Sequence, residues 1–332
     1  MTAAATFALE ASGLVKRFGT TRAVDGIDLA VPRGGVFGLL GPNGAGKTTA
    51  IQIFATLTKP DSGSARVMGH DVVADPHAVR SQISLTGQFA TIDGGLTGME
   101  NVVLQARLLG LTRQAARARG AELLEAFGLT ASAGRAVKTY SGGMQRRLDI
   151  ASSIVVPPAL LFLDEPTTGL DPQSRSQVWE TVRLLVRQGT TVLLTTQYLD
   201  EADQLSDRIA VMDHGKIIAD GTPSQLKASV GSGVLRVGLA APTERHRAQQ
   251  ILARTLGVTV RATPGSAALT AQIEGGAADQ GTSEAVAWAM NQLARSGIKV
   301  TTFALGQPSL DEVFLALTGH AVQDNAEAGE AA

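Results

Sequence analysis

Gly41-Pro42-Asn43-Gly44-Ala45-Gly46-Lys47-Thr48-Thr49 lies between the apolar run 35–40 and a stretch that reads as a helix from about Lys47 onward. Gly41, Gly46, Lys47 and Thr48 fit the spacing G-x-x-x-x-G-K-[ST], in which backbone amides converge on phosphate oxygens. The helix that follows adds the positive end of its dipole. Lys47 is then placed for β- and γ-phosphates, and Thr48 for Mg²⁺. The bland alternative, a glycine turn with a chance Lys-Thr pair, leaves the strand before it and the helix after it unexplained. Strand, glycine loop and helix in succession predict an α/β fold with a largely parallel sheet and its ligand at the strand ends.

Two further strings follow. Leu160-Leu161-Phe162-Leu163 is an unbroken apolar run, as expected of a strand buried on both faces, and Asp164-Glu165-Pro166 comes directly after it. Asp164 is the candidate that orients Mg²⁺. Glu165 is the candidate that polarises the attacking water. Between these motifs, Tyr140-Ser141-Gly142-Gly143-Met144-Gln145 opens a helix with Met144, Leu148, Ala151 and Val155 on one stripe. Its free amides and the Ser141 hydroxyl suit a γ-phosphate. A second phosphate-binding helix start is surplus in a chain whose first loop already holds a nucleotide. The surplus implies that a second subunit supplies the nucleotide.

Elements spread outward from these strings. Residues 7–15, 23–31, 190–196, 208–213 and 216–219 read as strands, with His214-Gly215 as the turn between the last two. Thr97 and Glu100 fit a capping box opening a helix through Leu108, and 174–187 is a helix stopped by Gly189. The first domain is expected over 1–228. A second, over 229–320, follows the linker-like Gly231-Ser232-Gly233. Its order of strand, helix, strand, strand, helix, strand (234–239, 243–256, 258–262, 268–273, 283–295, 299–305) is the ferredoxin-like α+β pattern. In the second helix Ala285, Val286, Ala289, Met290, Leu293 and Ala294 recur at helical spacing. A last helix presents Leu310, Val313, Phe314 and Leu317 on one face, and the Ala-rich acidic tail 321–332 reads as disordered.

Composition narrows the function. Lys and Arg total 29 against 30 Asp and Glu, a net charge of −1, so no cationic surface for nucleic acid is forecast. Cysteine is absent, which excludes disulfides and thiolate metal sites. The histidines (70, 77, 214, 246, 320) lack metal-ligand spacing. The longest apolar run, 154–163, is broken by Pro157 and Pro158 and falls short of the roughly 20 residues a membrane helix needs. Residues 1–13 lack the pattern of a secretory signal. The expectation is a soluble internal protein that a partner holds at a membrane. Arg107, Arg113, Arg117 and Arg119 read as a solvated helix face, with anionic headgroups or a membrane partner as the alternative.

Taken in order, the three strings resemble the ATP-binding-cassette (ABC) ATPases over about residues 7–228. That resemblance implies a P-loop fold with a mostly parallel core sheet, an antiparallel β portion and a helical signature subdomain. It implies ATP and Mg²⁺, a head-to-tail dimer with a second copy of the chain, and an integral membrane permease. Residues 41–49 would bind the nucleotide of one subunit, while Ser141, Gly142, Gly143 and Gln145 close on it from the other. By the same resemblance Phe18 stacks on adenine (a core Phe at a strand end is the alternative), Gln88 touches Mg²⁺, and Asp171 belongs to the loop linking the two sites. Gln197 stands where the family usually has His. Glutamine exchanges hydrogen bonds but carries no proton charge near neutral pH, so Gln197 is a positioner and Glu165 carries more of the chemistry.

Thr195-Thr196-Gln197-Tyr198-Leu199-Asp200-Glu201-Ala202-Asp203, the Tyr140 start of the signature and Ser309-Leu310-Asp311-Glu312-Val313-Phe314 are similar to the daunorubicin/doxorubicin-resistance group of export ATPases. This implies ATP-driven drug efflux from the cytoplasmic face of the cell membrane. Lipid or polysaccharide export is an alternative cargo. A non-transport role in DNA repair or translation is disfavoured by the absence of tandem cassettes, coiled coils and basic arms. Sensing, dimerisation and permease docking all remain open for the second domain.

Overall fold

Side chains alternate between the two faces of the central strands, as a sheet covered on both sides requires. In the computed structural model, which describes residues 7–87, 92–229, 233–262, 267–273, 280–306 and 308–318, the chain begins β1 (Phe7–Phe18), β2 (Thr21–Pro32), β3 (Val36–Leu40), α1 (Lys47–Phe54), β4 (Ser62–Val67), β5 (His70–Asp71), α2 (Pro76–Gln82) and β6 (Ile83–Thr86). Three helices follow, α3 (Gly98–Leu108), α4 (Arg113–Ala126) and α5 (Gly142–Ser153). Then come β7 (Leu160–Asp164), α6 (Pro172–Arg187), β8 (Thr191–Thr196), α7 (Leu199–Leu205), β9 (Arg208–Asp213) and β10 (Lys216–Gly221). The remainder is α8 (Pro223–Ser229), β11 (Gly233–Leu239), α9 (Arg245–Leu256), β12 (Val260–Ala262), β13 (Ala268–Ile273), α10 (Gln280–Arg295), β14 (Val300–Gly306) and α11 (Leu310–Thr318).

Six strands form the core sheet in the order β10-β9-β3-β8-β7-β6, and β6 through β9 pair in parallel. Along β7, Leu160 and Phe162 enter one hydrophobic cluster while Leu161 and Leu163 enter the other. The first cluster lies against α1 and the antiparallel sheet β2-β1-β4-β5. The second joins the sheet to α3, α4, α5 and α6. The β1–β2 hairpin runs longer than its apolar pattern because pairing continues to Phe18 opposite Thr21. Thr97 caps α3 with both reciprocal bonds of the expected capping box.

The chain divides into two compact units between Asp220 and Gly221, so α8, which packs on α11, belongs with the second unit although composition places the boundary at 228. In that second unit the sheet order is β12-β13-β11-β14, with every neighbour antiparallel. Together with the βαββαβ sequence, this is the split βαβ arrangement of a ferredoxin-like unit. Ala248 and Leu252 of α9 and Val286, Ala289 and Leu293 of α10 fill its core. Ala294, which recurs at helical spacing in α10, and Leu317, on the apolar face expected of α11, are exposed. Residues 321–332 lie outside the described residues.

Candidate nucleotide site

Sheet register assembles the site. Leu40 pairs with Thr196 and Asp164 with Thr195, so the exits of β3, β7 and β8 lie side by side. The loop after β3 is held by the Gly41 amide donating to the Thr196 carbonyl at 3.2 Å. Glycine is required at two points of close approach. A Cβ on Gly41 would collide with the Met212 carbonyl, and one on Gly46 with that of Ala23. Gly46 also adopts φ 105° at the start of α1, a conformation that side-chain-bearing residues rarely enter.

Asn43, Gly44, Gly46, Lys47, Thr48, Thr49, Glu165 and Gln197 line one cleft of about 710 Å³, with Thr21, Ala23, Thr168, Gly169 and Tyr198. Ala45 is buried and does not line it. Lys47 is only 4% exposed, and its Nζ donates to the carbonyls of Gly41 (2.8 Å) and Pro42 (3.1 Å) while pairing with Glu165 at 3.4 Å. Burial lowers the Lys47 pKa, and the carboxylates of Glu165 and Asp164 oppose that shift. Thr168 Oγ1 holds the other Glu165 oxygen at 3.2 Å. Asp164 accepts from Thr48 Oγ1 at 3.3 Å and from the buried Thr195 hydroxyl. A hydroxyl and a carboxylate at this spacing are the hard oxygen donors that Mg²⁺ prefers, so this pair fits the ion.

Glu165 has φ 47°, the left-handed region that is uncommon for a residue with a side chain. Its amide donates to the backbone oxygen and to Oγ1 of Thr195, each at 3.1 Å. Sequence reasoning missed Thr195, because within an apolar strand only the register with Asp164 gives it a role. It also missed Glu201, which is 1% exposed and takes the Trp179 indole hydrogen bond at 3.1 Å. Burial pushes the Glu201 pKa up against the Thr196, Thr167 and Trp179 side chains. Tyr198 lies under the Arg175 guanidinium, 4.7 Å from its ring centroid.

Other sequence-derived candidates lie apart from the cleft. Phe18 is 52% exposed at the hairpin end, where Thr21, the residue paired with it, lines the cleft, and the core alternative for Phe18 is thereby excluded. None of Ser141, Gly142, Gly143 and Gln145 lines it. Ser141 caps α5 by accepting from the Met144 amide at 3.3 Å, and Gln145 donates to the carbonyls of Val137 and Tyr140. The Asp171 carboxylate caps α6 through the amide and hydroxyl of Ser174, which hold its pKa low. Gln88 lies outside the described residues. Of the basic stretch, Arg107, Arg113 and Arg117 are exposed, whereas Arg119 is partly buried and donates to the Val155 carbonyl at 3.0 Å.

Residues 24–168 match the ABC transporter family. The chain is 58% identical over 319 residues to the daunorubicin/doxorubicin resistance ATP-binding protein DrrA of Streptomyces peucetius, covering 96% of this chain and 94% of that one. It is 49% identical to the daunorubicin resistance ATP-binding protein DrrA2 of Streptomyces coeruleorubidus, over 98% and 99% of the two chains. Among solved structures, cbiO1 of Clostridium perfringens, part of the ABC transporter complex cbiONQ, superposes with TM-score 0.63 at 27% identity, covering 67% of this chain and 91% of that one. Near-full-length identity to the resistance proteins, on a cassette fold whose strand exits form a phosphate-loop cleft, establishes that the chain belongs to the ABC transporter ATP-binding proteins of the daunorubicin/doxorubicin-resistance type.

Proposed function

We propose that the chain binds and hydrolyses ATP as the energising subunit of an exporter. A separately encoded membrane permease carries a hydrophobic drug or antibiotic, and the chain works at the cytoplasmic face of the cell membrane. The observation that carries the enzymatic reading is the convergence of Lys47, Thr48, Asp164 and Glu165 at the exits of β3 and β7, the two strands that flank β8. The drug-export reading rests on similarity to the two resistance proteins over almost the whole chain. Among the described residues no helix is long and apolar enough to cross a membrane, and the proposal gives the path to the permease.

Phosphate oxygens would compete with the Gly41 and Pro42 carbonyls and with Glu165 for the Lys47 ammonium. Losing Lys47 frees the Glu165 carboxylate, which then accepts a hydrogen bond from the water attacking the γ-phosphate. Thr48 and Asp164 would hold Mg²⁺, whose charge neutralises the phosphates. Gln197, 8% exposed at the cleft, positions that water or the γ-phosphate through its amide. Ser141 to Gly143, exposed at Ser141 and Gly142 and away from this chain's cleft, supply donors to the nucleotide of a second copy.

Lys47→Ala is the direct test. Each charge-assisted bond it removes is worth roughly 1.5–3 kcal/mol, and steady-state phosphate release should be abolished. Turnover at the wild-type rate would remove this cleft from the reaction. Drug efflux is read separately, as reduced daunorubicin accumulation in cells that carry the chain with its permease but not in cells with the Lys47→Ala form.

A further inference from the structure

Arg146 sits one turn into α5 and is 7% exposed, yet it does not line the cleft. Its guanidinium reaches three carbonyls on two backbone segments. Nε donates to the Pro166 carbonyl at 3.0 Å, Nη2 to the Asp164 carbonyl at 3.3 Å, and Nη1 to the Gly87 carbonyl at the exit of β6 at 2.7 Å. Asp149, on the same helix, accepts from Nη1 at 3.3 Å and balances the charge. Asp164 and Pro166 are the two residues flanking Glu165, so the fork grips the main chain on both sides of the residue at φ 47°. Thr195 holds the Glu165 amide from the sheet.

Backbone strain at a site persists only where the surroundings over-determine it. Burying a guanidinium is costly, and a buried ion pair is weak evidence for stability. Here the donors go mainly to carbonyl oxygens, in a planar geometry that a lysine ammonium does not reproduce. From Ser141 to Arg146 the helix advances only about 7.5 Å, so a displacement of its exposed start is felt at this fork.

We propose that Arg146 is a positioning residue. It holds Glu165 in its left-handed conformation and links the setting of the γ-phosphate-seeking helix start to the geometry of the acid that activates water. The proposal rests on the hydrolytic reading above and adds to it the route by which α5 bears on Glu165.

The test compares ATP hydrolysis by the full-length wild type, Arg146→Lys and Arg146→Gln. In both variants kcat should fall by about tenfold or more, while KM for ATP stays within about threefold, because the loop that binds ATP is not touched. In a Glu165→Gln background, measured by single turnover, adding Arg146→Gln should cost less than about threefold, because residues acting through one another are not additive. Wild-type kcat in the Lys and Gln variants would overturn the proposal. So would an equal loss with and without Glu165, or loss of folded protein in both variants, which would assign Arg146 to the fold alone. An inactive wild type would instead overturn the hydrolytic reading, a distinct result.

Discussion

Gln197 shows what a single side chain controls. It lines the cleft next to Tyr198, at the turn from β8 into α7. A neutral amide donates and accepts but takes up no proton near pH 7, which on the proposed mechanism leaves Glu165 as the group that receives one. The wild-type pH–rate profile should therefore lack an imidazole inflection. Gln197→His should introduce one near pH ~6.5, with a change in kcat below about tenfold. A much larger rise would mean that the missing imidazole limits turnover and that Glu165 carries less than proposed. Lys47, Thr48, Asp164 and Glu165 were legible as a group because spacing and the strands that precede them mark them out, and the structure brings them together. Thr195 and Arg146 were not. Their roles depend on a cross-strand register and on three carbonyls at positions 87, 164 and 166.

At the scale of elements, local chemistry was a good guide wherever it closes on itself. Thr97 and Glu100 satisfy each other's backbone donors at the start of α3, and α3 packs on α4 and α5. Thr97→Ala should cost about 1 kcal/mol, as the loss of an N-cap usually does. In a unit of this size that lowers Tm by about 2–4 °C, readable in a thermal melt, with ATP hydrolysis at low temperature unchanged. No change in Tm would show that α4 and α5 hold the start of α3 without its cap. Local pattern was a poorer guide where packing chooses among similar faces. Ala294 repeats at the right spacing in α10 yet is exposed, because Val286, Ala289 and Leu293 already fill the contact with the sheet. The two strands of the first hairpin likewise run to Phe18 and Thr21, beyond their apolar pattern, because backbone pairing does not need apolar side chains to continue.

For the whole molecule, the separation of Ser141–Gly143 from the cleft of the same chain is the governing fact. A head-to-tail pair of copies would join each cleft to the helix start of its neighbour. Lys47→Ala and Ser141→Arg should each be inactive alone. Mixed as subunits, they should recover up to about a quarter of the wild-type rate, because half the dimers are mixed and each mixed dimer keeps one intact site of two. A mixture no more active than its components would mean that each chain hydrolyses ATP without its neighbour's helix.

The amino-acid sequence by itself determined the α/β class, the strand–loop–helix that binds phosphate, the order of the three strings and the βαββαβ succession of the second unit. These are local properties, set by glycine conformations, hydrophobic period and cap chemistry within a few residues of one another. Only the tertiary structure decided that Thr195 braces Asp164, that Lys47 is paired with Glu165, that Glu165 is left-handed, and that one buried guanidinium on α5 grips both of its neighbours. Those relations join residues many positions apart. They exist because parallel strands with crossover helices bring distant strand ends to one edge, and no periodicity along the chain encodes which ends meet.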